Sequence, residues 1–483
     1  MSSAEPMGAH TEVGHRPGSA HVDSGADHTA FPALDGLRAV AVAAVMLTHA
    51  AYWTGRYERG FGAAFLARMD SGVAVFFVIS GFLLFRPWLV SAARRRPSPS
   101  LRVYLIRRAV RILPAYWLAV ALCLLLLPQN GTSTVADWWH HVFLLQTYQA
   151  GWLREGLTQT WSLCVEVAFY LVLPAIGAGA VWWLRRPRAP RMTTLLGLCG
   201  VLALISVGWY VFLHSGSPLA PYMGAFWLPG YLLWFAAGLA MAILRVHLDT
   251  ATEADSRRWQ WAETLGSHPL TCWSVTAATV LLTLTPLAGP RAIGAGTVGQ
   301  QVTKTVLYAV LAASIAWPAV FGRSPVTTAV LANRVSAYLG TISYGVFLYH
   351  LLVLDTVMRV LGNAVFNGQV IQVFPLTALG SVALAAVSFR VLERPMIRLG
   401  HRHTGGPATR HRTIPPVPPP APVPTPAPAS PPVPALAETA REAGGDGLRA
   451  PQRNAQPHPR FSIQRGEVAT EKTSTAMDSR QSP

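Results

Sequence analysis

Residues 31 to 49 read FPALDGLRAVAVAAVMLTH. The stretch predicts the start of a membrane helix with Arg38 near its beginning and His49 deep inside. Eleven residues separate the two, which at about 1.5 Å rise per residue is about 16 Å along the axis, roughly half the hydrocarbon thickness. An ionisable group at that depth is costly and marks a functional site by default. The structural alternative is a histidine hydrogen-bonded to a neighbouring helix.

The whole chain supports a membrane setting. It has 483 residues, 51% of them hydrophobic and 13% charged, where soluble domains carry about 25% charged residues. The formal net charge of +17 raises nucleic acid as a partner. The arginines, however, cluster in short segments between apolar runs, the pattern of cytoplasmic loops. Lysine occurs only at Lys304 and Lys472, which points to GC-rich coding rather than chemistry. Cys123, Cys164, Cys199 and Cys272 all fall in apolar segments without metal-ligand spacing, so no disulfide framework or metal site is expected. Residues 1–30 are polar, lack the apolar core of a signal peptide and are expected to be disordered. Their histidines, His10, His15, His21 and His28, share no helical register and no neighbouring acid or cysteine cluster.

Ten apolar stretches follow, at 34–53, 71–91, 109–127, 161–183, 192–213, 224–244, 271–288, 303–321, 336–359 and 371–392. The expected fold is an all-α polytopic membrane protein with disordered tails. An inside N-terminus places Arg94 to Arg96, Arg102, Arg107, Arg108, Arg111, Arg185, Arg186, Arg188 and Arg191 in inner loops, and the even span number returns the C-terminus inside. The outer loop 128–160 contains ADWWHHVFLLQTY, read as an interfacial helix with His140 and His141 as interfacial polar residues. Beyond Gly400, TIPPVPPPAPVPTPAPASPPVPAL predicts a proline-rich cytoplasmic tail over 401–483.

Depth along these spans brings ionisable groups to one level. His49 lies about 22 Å from the inner end of the first span, Glu166 about 7 Å below the outer boundary in the fourth, and His350 about 21 Å from the inner end of the ninth. Such groups line a cavity or pair with one another. In SGVAVFFVISGFLLFRPW, Gly72, Ser80 and Gly81 permit either close helix packing or close approach of a ligand, with packing favoured. At the inner end, Arg38 faces Glu393 as a possible structural pair, yet arginine also suits phosphate. A ligand with a phosphate head at the inner face and a long thin arm, the shape of a coenzyme A thioester, reaches the histidine level. A proton-coupled carrier uses similar intramembrane groups, but no internal repeat or matching pair of broken helices is seen. A scaffold with a recruiting tail leaves the depth-matched groups unexplained.

At these residues the chain resembles acyltransferase family 3, integral membrane O-acyltransferases. The resemblance rests on LDGLRAVAVAAVMLTH, GVAVFFVISGFLL, RRAVRILPAYW, WSLCVEVAFY, ISYGVFLYH and LERP, in order across residues 31 to about 400. It implies a domain over 31–400, in the form without an appended hydrolase-like domain, in a bacterial plasma membrane. It also implies acyl transfer, usually of acetyl, from cytoplasmic acyl-CoA to a hydroxyl of an extracytoplasmic glycan, glycolipid or macrolide, without a metal. Arg38 and His49 match the essential pair; Trp161, Ser162, Glu166, Ser80, Tyr349 and His350 fall on other motif positions. Many relatives have an acid where this chain has Ala74, so either Asp70 or Glu166 supplies that carboxylate or none is needed there. On this reading His49 is general base, Glu166 orients its ring or stabilises the developing imidazolium, and His350 or Ser80 donates to the oxyanion. Arg38, Arg107 and Arg108 hold the phosphates of CoA, and an acyl-His49 intermediate is the competing route.

Overall fold

Apolar runs with this spacing fold as helices throughout. The computed structural model describes residues 31–58, 62–149, 151–186, 191–216, 224–291 and 296–404. All belong to the first of two units, Met1–Thr413; the second, Ile414–Pro483, lies outside the described residues, as do the N-terminal tail and its histidines. The main helices are α1 (Pro32–Trp53), α2 (Gly72–Ala93), α3 (Leu101–Leu126), α4 (Val135–Val142), α5 (Trp161–Leu184) and α6 (Arg191–His214). They continue with α7 (Leu232–Thr250), α8 (Pro269–Thr283), α9 (Val298–Phe321), α10 (Arg334–Val360), α11 (Val370–Ser388) and α12 (Arg394–His403). No strand occurs among the described residues.

Nine helical stretches among the described residues are long and apolar enough to cross a membrane. The expected seventh span is the exception. α8 has 15 residues, about 22 Å of helix, short of the roughly 30 Å hydrocarbon core. Pro269 occupies its first turn and Pro286 follows its end, in a separate 3₁₀ turn Pro286–Ala288. A buried arginine gathers this terminus. Arg68 donates from Nε to the Thr283 carbonyl at 2.9 Å and from NH2 to the Gly289 carbonyl at 2.6 Å. Carbonyls at a helix end carry partial negative charge, so a guanidinium there is favourable.

Two boundaries also differ from the sequence reading. The third span begins at Leu101, not 109, so Arg102, Arg107, Arg108 and Arg111 lie on α3 rather than in a loop. Arginine is a good helix former, and its long side chain keeps the charge off the apolar surface. The sixth begins at Leu232 because Pro229 holds the preceding residues in a 3₁₀ turn. At the other end of the chain, α11 passes through a π-turn, Phe389–Glu393, into α12. Pro395 has no N–H for the Val391 carbonyl, and the widened turn accommodates that loss.

α1, α2, α7, α9 and α10 carry the most deeply packed surfaces. Phe235 of α7 stacks between Phe77 of α2 (4.6 Å) and Phe169 of α5 (3.8 Å). α2 and α7 cross backbone against backbone. A Cβ at Gly81 would stand 2.5 Å from the Phe235 carbonyl oxygen, and one at Gly238 would stand 2.1 Å from that of Val78. The small residues of the second span therefore serve close packing.

Candidate active site

The site is built on α1 and α10. His49 and His350 meet, with His350 Nε2 3.1 Å from His49 Nδ1 and ring centroids 5.0 Å apart. His49 Nδ1 is also 2.8 Å from the Val45 carbonyl oxygen, and His350 Nδ1 is 2.7 Å from that of Phe347. A carbonyl only accepts, so each Nδ1 carries a hydrogen. His350, fully buried, then presents a bare Nε2 that accepts from His49 Nδ1–H. The hydrogen-bond pattern thus assigns the proton of neutral His49 to Nδ1 and leaves its Nε2 free to take one.

Glu166 does not join this pair. Its Oε1 accepts from Ser80 Oγ and from Tyr170 OH, each at 2.5 Å. The Ser80 hydroxyl proton is therefore committed to Glu166 and the His350 Nδ1 proton to Phe347, so neither residue stands as the expected oxyanion donor. Counting depth from helix ends treats each helix as vertical and surface-anchored; α5 instead follows a 3₁₀ turn, Thr158–Thr160, whose Gln159 and Thr160 are already buried. Tyr170, four residues on from Glu166 on the same helical face, was the available signal. The carboxylate that acts electrostatically on His49 is Asp70. It sits in the 3₁₀ turn Met69–Ser71, just before α2.

A second level lies toward the inner end of α1. Arg38 NH1 donates to Asp35 Oδ1 at 2.7 Å, one turn earlier on the same helix. The structural partner of Arg38 is thus Asp35, and not Glu393, which instead accepts from Ser388 Oγ at 3.3 Å. Arg111 lies within electrostatic reach of Arg38, Arg108 and Asp35, and the Arg108 guanidinium stands 5.9 Å over the Tyr170 ring. Arg107 points elsewhere, its Nε donating to Thr404 Oγ1 at 3.3 Å. Helical spacing alone does not make this division, since residue 111 lies within about 60° of both 107 and 108; the contact of Arg107 with Thr404 does. The structure thus groups Arg111 with Arg38 and Arg108, and Arg107 with the start of the C-terminal tail.

Other motif residues have structural partners. Tyr349 OH lies 2.8 Å from Ser388 Oγ, Ser162 Oγ donates to the Gln159 carbonyl, and the Trp161 ring is 5.2 Å from Tyr231. A helix does form in the 128–160 loop: α4, started by a Thr134–Asp137 capping box. Trp139 and Phe143 are exposed and stacked. His141 is not interfacial but fully buried, with Nδ1–H donating to the Asp137 carbonyl at 2.8 Å. Asp137 is buried as well; its carboxyl lies below the usual carboxylate range although burial opposes this, because Thr134 and Arg154 donate to it. All four cysteines are free and buried. No cluster of three or more His, Cys, Asp or Glu suited to a metal occurs among the described residues.

The sequence of this bundle has counterparts among known proteins. Residues 31–390 match the family described as "Acyltransferase domain", and the chain belongs to that family. It is similar to the peptidoglycan O-acetyltransferase OatA of Listeria monocytogenes, 24% identical over 388 residues, covering 76% of this chain and 56% of that protein. Nodulation protein 10 of Rhizobium leguminosarum bv. viciae is 25% identical over 390 residues, 76% of this chain and 93% of its own. The O-acetyltransferase OatA of Staphylococcus aureus is 23% identical over 389 residues, 77% and 58%. The chain spans a little over half the length of the two O-acetyltransferases. No solved structure matches it.

Proposed function

We propose that this membrane acyltransferase moves an acyl group, acetyl first among them, from cytoplasmic acyl-CoA to a hydroxyl of an extracytoplasmic glycan or glycolipid. The reading takes residues 31–400 as the catalytic domain, the bacterial plasma membrane as its site and the N-terminus as cytoplasmic; with α8 too short to span, an even number of spans no longer returns the C-terminus inside. The observation that carries it is the His49–His350 hydrogen bond, which leaves His49 Nε2 as a base about 16 Å along α1 from Arg38. Arg38, Arg108 and Arg111 supply charge and bidentate donors for the phosphates of CoA. The acceptor oxygen attacks the thioester carbonyl carbon as His49 Nε2 takes its proton. Collapse of the tetrahedral intermediate breaks the C–S bond, and the thiolate leaves with the proton held on His49. Membership of an acyltransferase family favours this reading over a carrier.

The test uses purified protein in proteoliposomes with radiolabelled acetyl-CoA and an extract of bacterial envelope. Label is expected to enter a lipid or glycan with the intact chain and not with His49→Ala. Transfer by that variant would remove His49 from the chemistry.

A further inference from the structure

Lys304 is one of two lysines in a chain whose Lys and Arg total 39, and no step above uses it. It lies on α9 with its Nζ 2.9 Å from Asp70 Oδ2. Tyr308, one turn further on the same face, donates its hydroxyl to Asp70 Oδ1, and the Lys304 ammonium stands 5.2 Å over the Tyr308 ring. Both oxygens of Asp70 are thus held from α9. The carboxylate is also held against α1. A Cβ at Gly72 would meet the Ala41 carbonyl oxygen at 2.4 Å and Val45 Cγ2 at 3.0 Å, and Thr48 Oγ donates to the Ala67 carbonyl at 3.3 Å. Val45 and Thr48 bracket the turn that ends at His49. The turn bearing Asp70 is therefore packed beside the base, and the side chains of Lys304 and Asp70 are only 15% and 29% exposed.

We propose that Asp70 is the counter-charge of His49, and that Lys304 and Tyr308 are positioning residues that keep this carboxylate ionised and fixed beside the ring. The inference rests on His49 acting as base. When Nε2 takes the acceptor's proton, the ring becomes a cation in a site walled by apolar helices. A fixed negative charge stabilises that state more than the neutral one, so it lowers the barrier without strengthening substrate binding. The choice of lysine follows. A guanidinium engages a carboxylate through two parallel bonds and would take both Asp70 oxygens; a compact ammonium takes one and leaves the other to Tyr308.

The test compares Asp70→Asn, Lys304→Met, Lys304→Arg, Tyr308→Phe and the Asp70→Asn/Lys304→Met double variant. The full chain is assayed in proteoliposomes by thiol release from acetyl-CoA with the envelope extract. For Asp70→Asn, kcat is expected to fall about tenfold or more, with KM for acetyl-CoA and extract unchanged within about twofold. Lys304→Met and Lys304→Arg are expected to lower kcat, and the double variant to be no worse than Asp70→Asn. Tyr308→Phe keeps the ion pair, so it reports on the carboxylate's placement even where Asp70→Asn fails to fold; a severalfold loss of kcat is expected. Wild-type kcat in Asp70→Asn or Tyr308→Phe would overturn the inference, as would losses that multiply in the double variant. Activity in His49→Ala would instead fail the underlying reading and is told apart by that result.

Discussion

Replacing His350 by phenylalanine removes the acceptor of the His49 Nδ1 proton while keeping a planar ring in the same packed position. His49 keeps its bond to the Val45 carbonyl at 2.8 Å, so the ring stays oriented and the neutral state loses little. The cationic state loses more, because a hydrogen bond from a charged donor is worth about 1.5–3 kcal/mol net against about 0.5–1.5 for a neutral one. The difference, about 1–1.5 kcal/mol, corresponds to about a tenfold loss of kcat. KM for acetyl-CoA is expected to stay unchanged, since Arg38, Arg108 and Arg111 are untouched. His350→Gln, whose amide oxygen also accepts, is expected to recover most of the rate. The assay is acetyl transfer in proteoliposomes with kcat and KM resolved. A wild-type kcat in His350→Phe, or equal losses in the two variants, would refute the assignment of His350 as a second acceptor of the His49 Nδ1 proton that stabilises the cationic ring.

Two further outcomes follow from geometry away from the histidines. Arg108→Ala and Arg111→Ala are expected to raise KM for acetyl-CoA about tenfold or more, the loss of about one charged hydrogen bond each. Arg107→Ala, whose side chain faces Thr404, is expected to stay within about twofold of wild type; the reverse order measured by donor titration would overturn the face assignment. In the outer helix, burial lowers the His141 imidazole below its ordinary 6.5, only partly opposed by Asp137. The unfolded chain then binds a proton that the folded one refuses, so the stability from this group is full above pH 6.5 and declines as pH falls below it. Thermal unfolding in detergent should show this acid slope below pH 6.5, and His141→Gln should flatten it; an unchanged slope would assign it elsewhere.

Hydropathy and the placement of charges made the helical fold legible, and the approximate spans follow because a bilayer fixes the length a helix needs. The α8 boundary was hidden because Pro286 ends the helix inside an otherwise apolar run, and the clamp that receives the end, Arg68, is over two hundred residues away in sequence. The meeting of His49 with His350 was readable, since both are ionisable groups at comparable depth on long helices. Glu166 was misplaced by the same arithmetic because α5 follows a turn, Thr158–Thr160, whose Gln159 and Thr160 are already buried. Spacing could not separate Arg111 from Arg107 and Arg108, since it lies within about 60° of both on a helix; the contact of Arg107 with Thr404, about three hundred positions away, makes the division. The Asp70–Lys304–Tyr308 group joins residues separated by more than two hundred positions, and no periodicity in either segment reports that contact.

The spacing on α1 connects the parts. Eleven residues turn an α-helix by about 1100°, within about 20° of three full turns, so Arg38 and His49 project from nearly the same face about 16 Å apart. Pro32 is confined to the first turn and no proline interrupts the rest of the helix, so the separation is set by a straight, regular rod. Each end of that rod is braced locally, Arg38 by Asp35 and His49 by Val45 and His350. A carrier needs its binding groups to face one side of the membrane and then the other. A transferase using a donor with a charged head and a distant reactive carbonyl needs two fixed points at one separation. The braced, single-helix arrangement meets the second requirement, and it accounts for why the arginine and the histidine sit on one element rather than on helices free to move against each other.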